Sequence, residues 1–287
     1  MEECETAIPP YAQKRIINNV TSIAAQSIFT SHSPYILEEF KPENILVVKR
    51  ENGIFTGVPA SYPPTVKPKK YREEFKRRFG EALLSRRVLI CEGRTEFDAV
   101  PTAARRLHEL NPEKYTTLEA LGVAIVNAEG DSQVEPLGKF YKGLGKNVFA
   151  VFDKQTAEVK ASIDAALDNA FEAPEKSFEK VILNGTSETG LRRFATSLVA
   201  DDEWPGHLSD KKPTSSMALD EIKNALLAYF GWSKGSGDAA DLLAQCSEAE
   251  MPEFIKNMLI KIKSTIEAED YEEPDVSESD DSITPAT

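Results

Sequence analysis

Two apolar runs of the sequence each end in a carboxylate. Residues 88–91 are followed by Glu92 and Gly93, and residues 148–152 are followed by Asp153. Runs that are apolar on both faces predict buried strands of a parallel sheet. Ligands of open α/β sheets bind beyond the carboxyl ends of the strands. We therefore expect Glu92 and Asp153 to share one sheet edge, where two carboxylates can bind a hard divalent cation.

A third acid, Glu96, lies one helical turn beyond the first strand. Thr95 can cap the helix that begins there, with Asp98 as its reciprocal partner three residues on. Glu96 then falls in the first turn, where the helix dipole stabilises a negative charge, and it can face the same crevice as Glu92. Each of these acids, taken alone, is equally consistent with a helix cap or a solvated turn.

These acids must be positioned by alternating strands and helices. Such alternation, with strands apolar on both faces, predicts an α/β fold with a parallel sheet flanked by helices, to which a helical subdomain is attached. We predict strands at 27–30, 45–49, 87–91, 123–126, 148–152 and 178–183, and helices at 12–28, 34–37, 71–84, 96–110, 134–143 and 157–171, with mainly helical patterns from 188 to 267.

The strand-end acids resemble the Toprim fold of topoisomerases, primases and certain nucleases. That pattern is a strand-end Glu-Gly followed by a strand that ends in Asp-x-Asp. Glu92 matches the first part and Asp153 the second, but Gln155 stands where the second Asp is usual. The departure suggests that Glu96 supplies the missing carboxylate. Glu188, which follows the predicted strand at 178–183, is another candidate and is equally consistent with a first-turn helix acid.

A second resemblance lies near the N-terminus. Glu2-Glu3, followed by Pro10 and Gln13, is similar to the end of a Walker B strand in an ABC-type ATPase, and residues 29–37 are similar to that family's switch-histidine segment. The match implies Glu2 as a Mg²⁺ ligand, Glu3 as the catalytic base and His32 as the γ-phosphate sensor. No Gly-x-x-x-x-Gly-Lys-Ser/Thr phosphate loop occurs in the sequence, so we expect no ATPase activity from this chain alone.

An ABC-type ATPase followed by a Toprim domain is the arrangement of the overcoming-lysogenization-defect (OLD) family of nucleases. The resemblance implies three segments: an ATPase remnant and linker (1–66), a Toprim core (67–187) and a helical subdomain with a late catalytic lysine (188–270). The acidic, aperiodic composition of residues 271–287 predicts a disordered tail. Lys234 matches that lysine; it is equally consistent with a flexible surface side chain. The family also implies DNA cleavage with divalent metals, often in phage defence, and an N-terminal ATPase portion as partner, through which a homodimer could form.

The implied chemistry is metal-assisted hydrolysis of a phosphodiester bond. Glu92, Glu96 and Asp153, with Glu188 as a fourth candidate, would bind one or two Mg²⁺ or Mn²⁺ ions, with Ca²⁺ as a non-native occupant. Lys234 would neutralise charge on the phosphate. Contacts to backbone phosphates would give DNA affinity without sequence specificity; our candidates for them are Arg94, Lys69, Lys70, Arg86 and Arg87.

Two other functions remain open on the sequence alone. Toprim sites also serve primases and topoisomerases, but none of the eight tyrosines lies in a recognisable topoisomerase motif and no nucleotide-binding element of a primase is apparent. Gln155 favours the other alternative, a non-enzymatic domain that binds a partner or DNA through a degraded site.

Composition limits the setting of this chemistry. The net charge of −13 opposes DNA binding, but nine acids and no base lie after Lys263, whereas residues 67–106 hold twelve basic residues against six acids. That basic stretch is compatible with a DNA-binding face or with a solvated helix surface. Three widely spaced cysteines form neither a disulfide framework nor a zinc pattern, and no signal peptide or membrane-spanning run occurs. We expect a cytoplasmic protein.

Overall fold

The N-terminal part of the fold is a small helical segment followed by a hairpin. The computed structural model describes residues 8–51, 53–62 and 76–272. Helices α1 (Pro10–Ile23) and α2 (Pro34–Leu37) precede an antiparallel hairpin of β1 (Leu46–Glu51) and β2 (Ile54–Pro59). The strand predicted at 27–30 is wrong, because β1 takes β2 as its partner and residues 27–30 have no strand beside them.

A four-stranded parallel sheet forms the centre of the fold. Its strands β3 (Arg87–Cys91), β4 (Val123–Asn127), β5 (Asn147–Phe152) and β6 (Asn169–Glu172) lie in the order β4-β3-β5-β6. The predictions of β3, β4 and β5 are confirmed. Side chains 88–91 and 148–152 are wholly buried, as the apolar runs require of strands covered on both faces.

Helices cover both faces of this sheet. The alternation of side chains along β3 and β5 sends Val88, Ile90 and Val148 to one core and Leu89 and Phe149 to the other. The first core is closed by α3 (Lys76–Leu84), α5 (Asp131–Gly143) and α6 (Ala157–Ala166). The second is closed by α4 (Arg94–Leu110) and by the helices that follow the sheet.

Five helices follow the sheet, and the last four of them lie in the predicted helical region. They are α7 (Phe178–Gly185), α8 (Glu188–Ala200), α9 (Leu219–Trp232), α10 (Asp238–Ala244) and α11 (Glu253–Glu272), with a 3-10 turn at Gly206–Lys211. Their apolar side chains join those of α4 and of the sheet in one continuous core. The helical region is therefore packed directly on the strands that deliver the candidate acids.

Two assignments after β5 need correction. The helix predicted at 157–171 ends at Ala166, and residues 169–172 form the fourth strand of the sheet. The strand predicted at 178–183 is helix α7. Phe178, Val181 and Ile182 are all buried, and their spacing of three and four residues is that of one helical face. A short apolar run does not by itself distinguish a buried strand from a buried helix.

Several predictions concern residues outside the described part of the chain. They are the ATPase acids Glu2 and Glu3, the basic residues Lys69 and Lys70, the start of the helix predicted at 71–84 and the tail from 273 onward. In the described ranges, no helix is both long and apolar enough to cross a membrane. Cys91 and Cys246 are free, buried thiols.

Candidate metal and phosphate site

The carboxyl ends of β3 and β5 bring Glu92 and Asp153 together. The two strands are parallel neighbours with Cys91 opposite Val151, so the residues that follow them emerge at the same edge. The Glu92 backbone N–H donates to the Val151 carbonyl at 3.0 Å. The Asp153 backbone N–H donates to Glu92 Oε2 at 2.9 Å. The sequence-based placement of this pair at one edge is confirmed.

Glu96 joins this pair from the first turn of α4. Its side chain is only 4% exposed, which is rare for a carboxylate. Gly93 makes room for it, because a Cβ atom at position 93 would lie 3.1 Å from Glu96 Oε2. The glycine of the Glu-Gly pair thus permits the buried Glu96 carboxylate to fold back over the strand end.

The cap predicted for α4 is wrong. The helix begins at Arg94 with Gly93 as its N-cap, and Asp98 pairs with Arg94 at 2.6 Å instead of with Thr95. Thr95 Oγ1 donates to Glu179 Oε1 at 2.6 Å. The hydroxyl therefore connects the start of α4 to α7.

Glu179, in the first turn of α7, is the acid that the sequence analysis missed. Its second oxygen accepts a hydrogen bond from Ser177 Oγ at 2.6 Å. Burial acts to raise the pKa of Glu179, but the hydrogen bonds from Ser177 and Thr95 and the positive charge of Lys234 outweigh it and lower the pKa. Glu179 is thus held as a carboxylate. We call Glu92, Glu96, Asp153 and Glu179 the acidic edge.

Lys234 faces the acidic edge from the loop between α9 and α10. It lines a small cavity with Arg94, Thr95 and Glu179, and its charge acts to lower the pKa of Asp153. Gly235 and Gly237 in this loop have φ of +96° and +94°, a conformation that favours glycine. The loop places a cation beside carboxylates supplied by the sheet and α7, and the catalytic role of Lys234 stays a prediction.

The acids of the edge repel one another. Burial, together with the charges of Asp153, Glu92 and Glu179, raises the pKa of Glu96 to about 8. Burial and the charges of Glu92 and Glu179 raise the pKa of Asp153 to about 7, against the opposing effect of Lys234. Burial and the charge of Asp131, at the start of α5, raise the pKa of Glu92. Without a bound cation, protonation of these acids reduces the repulsion between them.

The acidic edge supplies oxygen ligands of the kind that a divalent cation binds. Asp153 Oδ1 is buried and has no hydrogen-bond partner, so this carboxylate oxygen is available as a metal ligand. The four members are all carboxylates, which Mg²⁺ and Mn²⁺ accept as ligands. No three acids of the described ranges, however, stand close enough together to enclose an ion without adjustment of their side chains.

Glu188 lies apart from the acidic edge, whereas Gln155 follows Asp153 by two residues. Glu188 is in the first turn of α8, where it pairs with Arg192 at 2.7 Å, and its side chain is 52% exposed. The strand that was to deliver it is helix α7, so the structure does not bring it to the other acids. Gln155 lies beyond β5, and its backbone N–H donates to Glu172 Oε1 at 3.0 Å.

The candidate DNA contacts are spread over both ends of the sheet. Arg94 is at the acidic edge, half-exposed, with its guanidinium over the Phe97 ring. Arg86 and Arg87 are at the opposite end of β3, about 17 Å away for five residues of strand. Arg87 is buried and pairs with Asp270 and Glu269 of α11. It holds α11 against the sheet, and the prediction that it contacts DNA is not supported.

The switch-histidine segment lies in the N-terminal part. His32 is exposed in the turn before α2, and the neighbouring Ser33 Oγ donates to Gln13 Oε1 of α1 at 2.7 Å. The structure therefore links two positions that the ATPase resemblance singled out, Gln13 and the segment around His32. The role of His32 stays a prediction.

A parallel sheet with strand-end acids, flanked on both faces by helices, defines a Toprim-type α/β fold. Residues 83–154 match the family described as "Overcoming lysogenization defect protein-like, TOPRIM domain". This match covers a quarter of the chain and confirms, for these residues, the resemblance to the Toprim domain of OLD-like proteins. Glu92, Glu96 and Asp153 lie within the matched residues, whereas Glu179 and Lys234 lie beyond them.

Two solved structures of OLD proteins align with part of this chain. The C-terminal region of the Xanthomonas campestris pv. campestris OLD protein is 17% identical, with 67% of this chain and 98% of that chain covered and a TM-score of 0.49. The C-terminal region of the Burkholderia pseudomallei OLD protein is 15% identical, with 63% and 98% covered and a TM-score of 0.46. No curated protein matches the chain.

Proposed function

We propose that this chain is the nuclease module of an OLD-family protein and that it cleaves DNA phosphodiester bonds with the help of Mg²⁺ or Mn²⁺. The observation that carries the proposal is the acidic edge with Lys234 facing it. Four carboxylates and one lysine, from the sheet, α4, α7 and the loop before α10, converge at the edge where α/β enzymes bind their ligands.

The chain's own residues have separable roles in this proposal. Glu92, Glu96, Asp153 and Glu179 would hold the cation, which when bound would supply Lewis-acid activation of the phosphodiester. Lys234 would stabilise the negative charge that develops on the phosphate oxygens. Arg94, at the mouth of the same cavity, would hold a neighbouring backbone phosphate. The N-terminal ATPase portion of a longer protein would be its partner.

Plasmid nicking tests the proposal. We expect the full chain to nick supercoiled DNA in Mg²⁺ or Mn²⁺ but not in EDTA, and Glu92→Ala and Asp153→Ala each to lower the rate by at least about 100-fold. Asp153→Ala should not lower the melting temperature in EDTA, because it relieves repulsion at the edge. Glu92→Ala should lower it slightly, because the Asp153 backbone N–H loses its acceptor.

Glu109→Ala is the matched control, since Glu109 lies on α4 with Glu96 but about 20 Å farther along the helix. It should nick like the wild type. Glu188→Ala tests the remaining candidate ligand, and Gln155→Asp tests whether the usual second acid raises the rate. Full nicking by a folded Glu92→Ala protein would refute the site.

A non-enzymatic DNA- or partner-binding domain is the second candidate, favoured by Gln155 at the second acid position and by the wide spacing of the acids. Calorimetric titration with Mn²⁺ separates the two. A nuclease site should bind Mn²⁺ in the wild type and lose most of that affinity in Glu92→Ala. A degraded site should give the same weak signal in both proteins.

A further inference from the structure

An aromatic cluster lies next to the loop that carries Lys234. Trp204 and Tyr229 stack with ring centroids 5.4 Å apart and an interplanar angle of 18°. Trp232, the last residue of α9, contacts Tyr229 at 5.8 Å. His207, from the 3-10 turn, contacts Trp232 at 5.5 Å. The cluster therefore extends from the protein core to the surface.

The two tryptophans of the chain differ in environment. Trp204 is 7% exposed, and its indole N–H donates to the Leu208 carbonyl at 2.8 Å. Trp232 is 53% exposed, although an indole is among the most favourable side chains to bury. Its ring is nevertheless held in place, because Tyr229 supports it from one side and His207 from another. An exposed, supported ring of this kind is a stacking surface.

The stacking surface lies close to the candidate phosphate site and is hydrogen-bonded to it through Tyr229. Trp232 is two residues from Lys234, so their Cα atoms lie within about 7 Å of each other. Tyr229 Oη donates to Asp238 Oδ1 at 3.0 Å, and Asp238 lines the same cavity as Lys234 and Glu179. A nucleic-acid strand whose phosphate reaches Lys234 would bring a neighbouring base to Trp232.

The charges around the ring are mixed. Lys211 and Lys212 are exposed just after His207, whereas Glu203 and Asp210 are exposed acids of the same segment. This surface is therefore not a basic patch that would hold a duplex by its phosphates alone. Stacking on an aromatic ring does not depend on a positive surface, because every base offers a flat π face.

We propose that Trp232, supported by His207, stacks on an unpaired base of the nucleic acid bound at the acidic edge. The inference rests on the proposed function and deepens it: the substrate class is single-stranded DNA or duplex DNA with unpaired bases near the cleaved bond. In a continuous duplex both faces of each base are already stacked, and a ring that approaches from the side cannot reach them.

Binding in EDTA tests this inference without cleavage. The full chain is titrated, by fluorescence anisotropy at low salt, with three labelled DNAs: a single strand, a duplex with a central unpaired bubble, and a long, fully paired duplex. We expect Trp232→Ala to bind the single strand and the bubble roughly 5- to 150-fold more weakly, the loss of one base stack. Trp232→Phe should lose less than about fivefold, since a smaller ring remains.

Intrinsic fluorescence gives an independent readout, because the chain has only two tryptophans. Single-stranded DNA should quench the wild type, and Trp232→Phe should abolish the quench and leave the signal of Trp204. Phe55→Ala is the control, since Phe55 is 69% exposed on β2, in the N-terminal hairpin. It should bind all three DNAs like the wild type.

The outcomes separate this inference from the nuclease proposal. Wild-type affinity of Trp232→Ala for the single strand, or an equal loss for all three DNAs, would overturn the stacking role even if nicking requires Glu92. A wild type that binds none of the three DNAs would also overturn it. Conversely, ring-dependent binding without metal-dependent nicking would leave the stacking site in place and refute the nuclease.

Discussion

Replacement of Glu96 by Gln should stabilise the metal-free protein, and the gain should grow with pH. The structure raises the pKa of Glu96 from 4.5 to about 8, mainly through burial. Between these two values the folded state therefore binds more protons than the unfolded state. Stability falls as the pH rises through this window, because folding then requires the uptake of a proton or the burial of a charge.

The magnitude follows from the size of the shift. At 1.36 kcal/mol per pKa unit, a shift from 4.5 to about 8 sets an upper limit of about 5 kcal/mol above pH 8. Relaxation of the site and entry of water reduce this penalty, and we expect about 2 kcal/mol. For a chain of this size that corresponds to about 4–8 °C in melting temperature. At pH 5.5, only one unit above the unfolded pKa of 4.5, the difference between the two melting temperatures should be smallest.

Thermal melts in EDTA at pH 5.5, 7.0 and 8.5 measure the effect. Glu109→Gln, on the same helix but remote from the edge, should follow the wild type throughout. Addition of Mn²⁺ at pH 8.5 should raise the melting temperature of the wild type more than that of Glu96→Gln, because the cation then takes the place of the proton. If the melting temperatures of the wild type and Glu96→Gln differ by the same amount at all three pH values, Glu96 carries no buried charge. The electrostatic argument for the site would then fail.

Three further expectations concern residues around the site. Lys234→Met should lower the nicking rate by about 100- to 1,000-fold without a change in melting temperature, and Lys234→Arg should recover part of the rate; a fully active Lys234→Met protein would remove the lysine from the chemistry. Arg87→Ala should lower stability by about 2 kcal/mol in chemical denaturation because it releases α11 from the sheet, while single-stranded DNA affinity stays unchanged; weaker DNA binding with unchanged stability would return Arg87 to the DNA-contact set. Deletion of residues 273–287 should strengthen DNA binding at low salt more than at high salt, since five acids are removed; anisotropy at two salt concentrations measures this, and weaker binding would contradict it.

The strands and their acids could be predicted because each signal is local. Runs of apolar residues at 88–91 and 148–152 predicted buried strands, and parallel pairing then dictates that Glu92 and Asp153 emerge together. The position of Glu96 in the first turn of α4 also followed from sequence, whereas its burial did not. Lys234 required the family resemblance, because its loop has no periodicity of its own.

Glu179 and Arg87 could not be placed from the sequence, for two physical reasons. Glu179 was missed because residues 178–183 were assigned to a strand. Assignment of these residues to a helix would have placed Glu179 in its first turn, as an acid near the edge. Arg87 was assigned from charge alone, but its partners, Glu269 and Asp270, are about 180 residues away in the chain. Local patterns do not reveal such long-range pairs.

The matched Toprim segment cannot carry out the proposed chemistry by itself. Glu179 and Lys234 come from the helices and loops that follow the sheet. The same helices cover Leu89 and Phe149 on one face of the sheet. The predicted boundary between residues 187 and 188 therefore separates Lys234 from the acids and would expose the core. We expect a fragment of residues 67–187 to lose cooperative melting and nicking, whereas residues 67–270 should retain both. A folded 67–187 fragment that nicks plasmid at the full rate would show that Lys234 is dispensable and that the site is confined to the sheet edge.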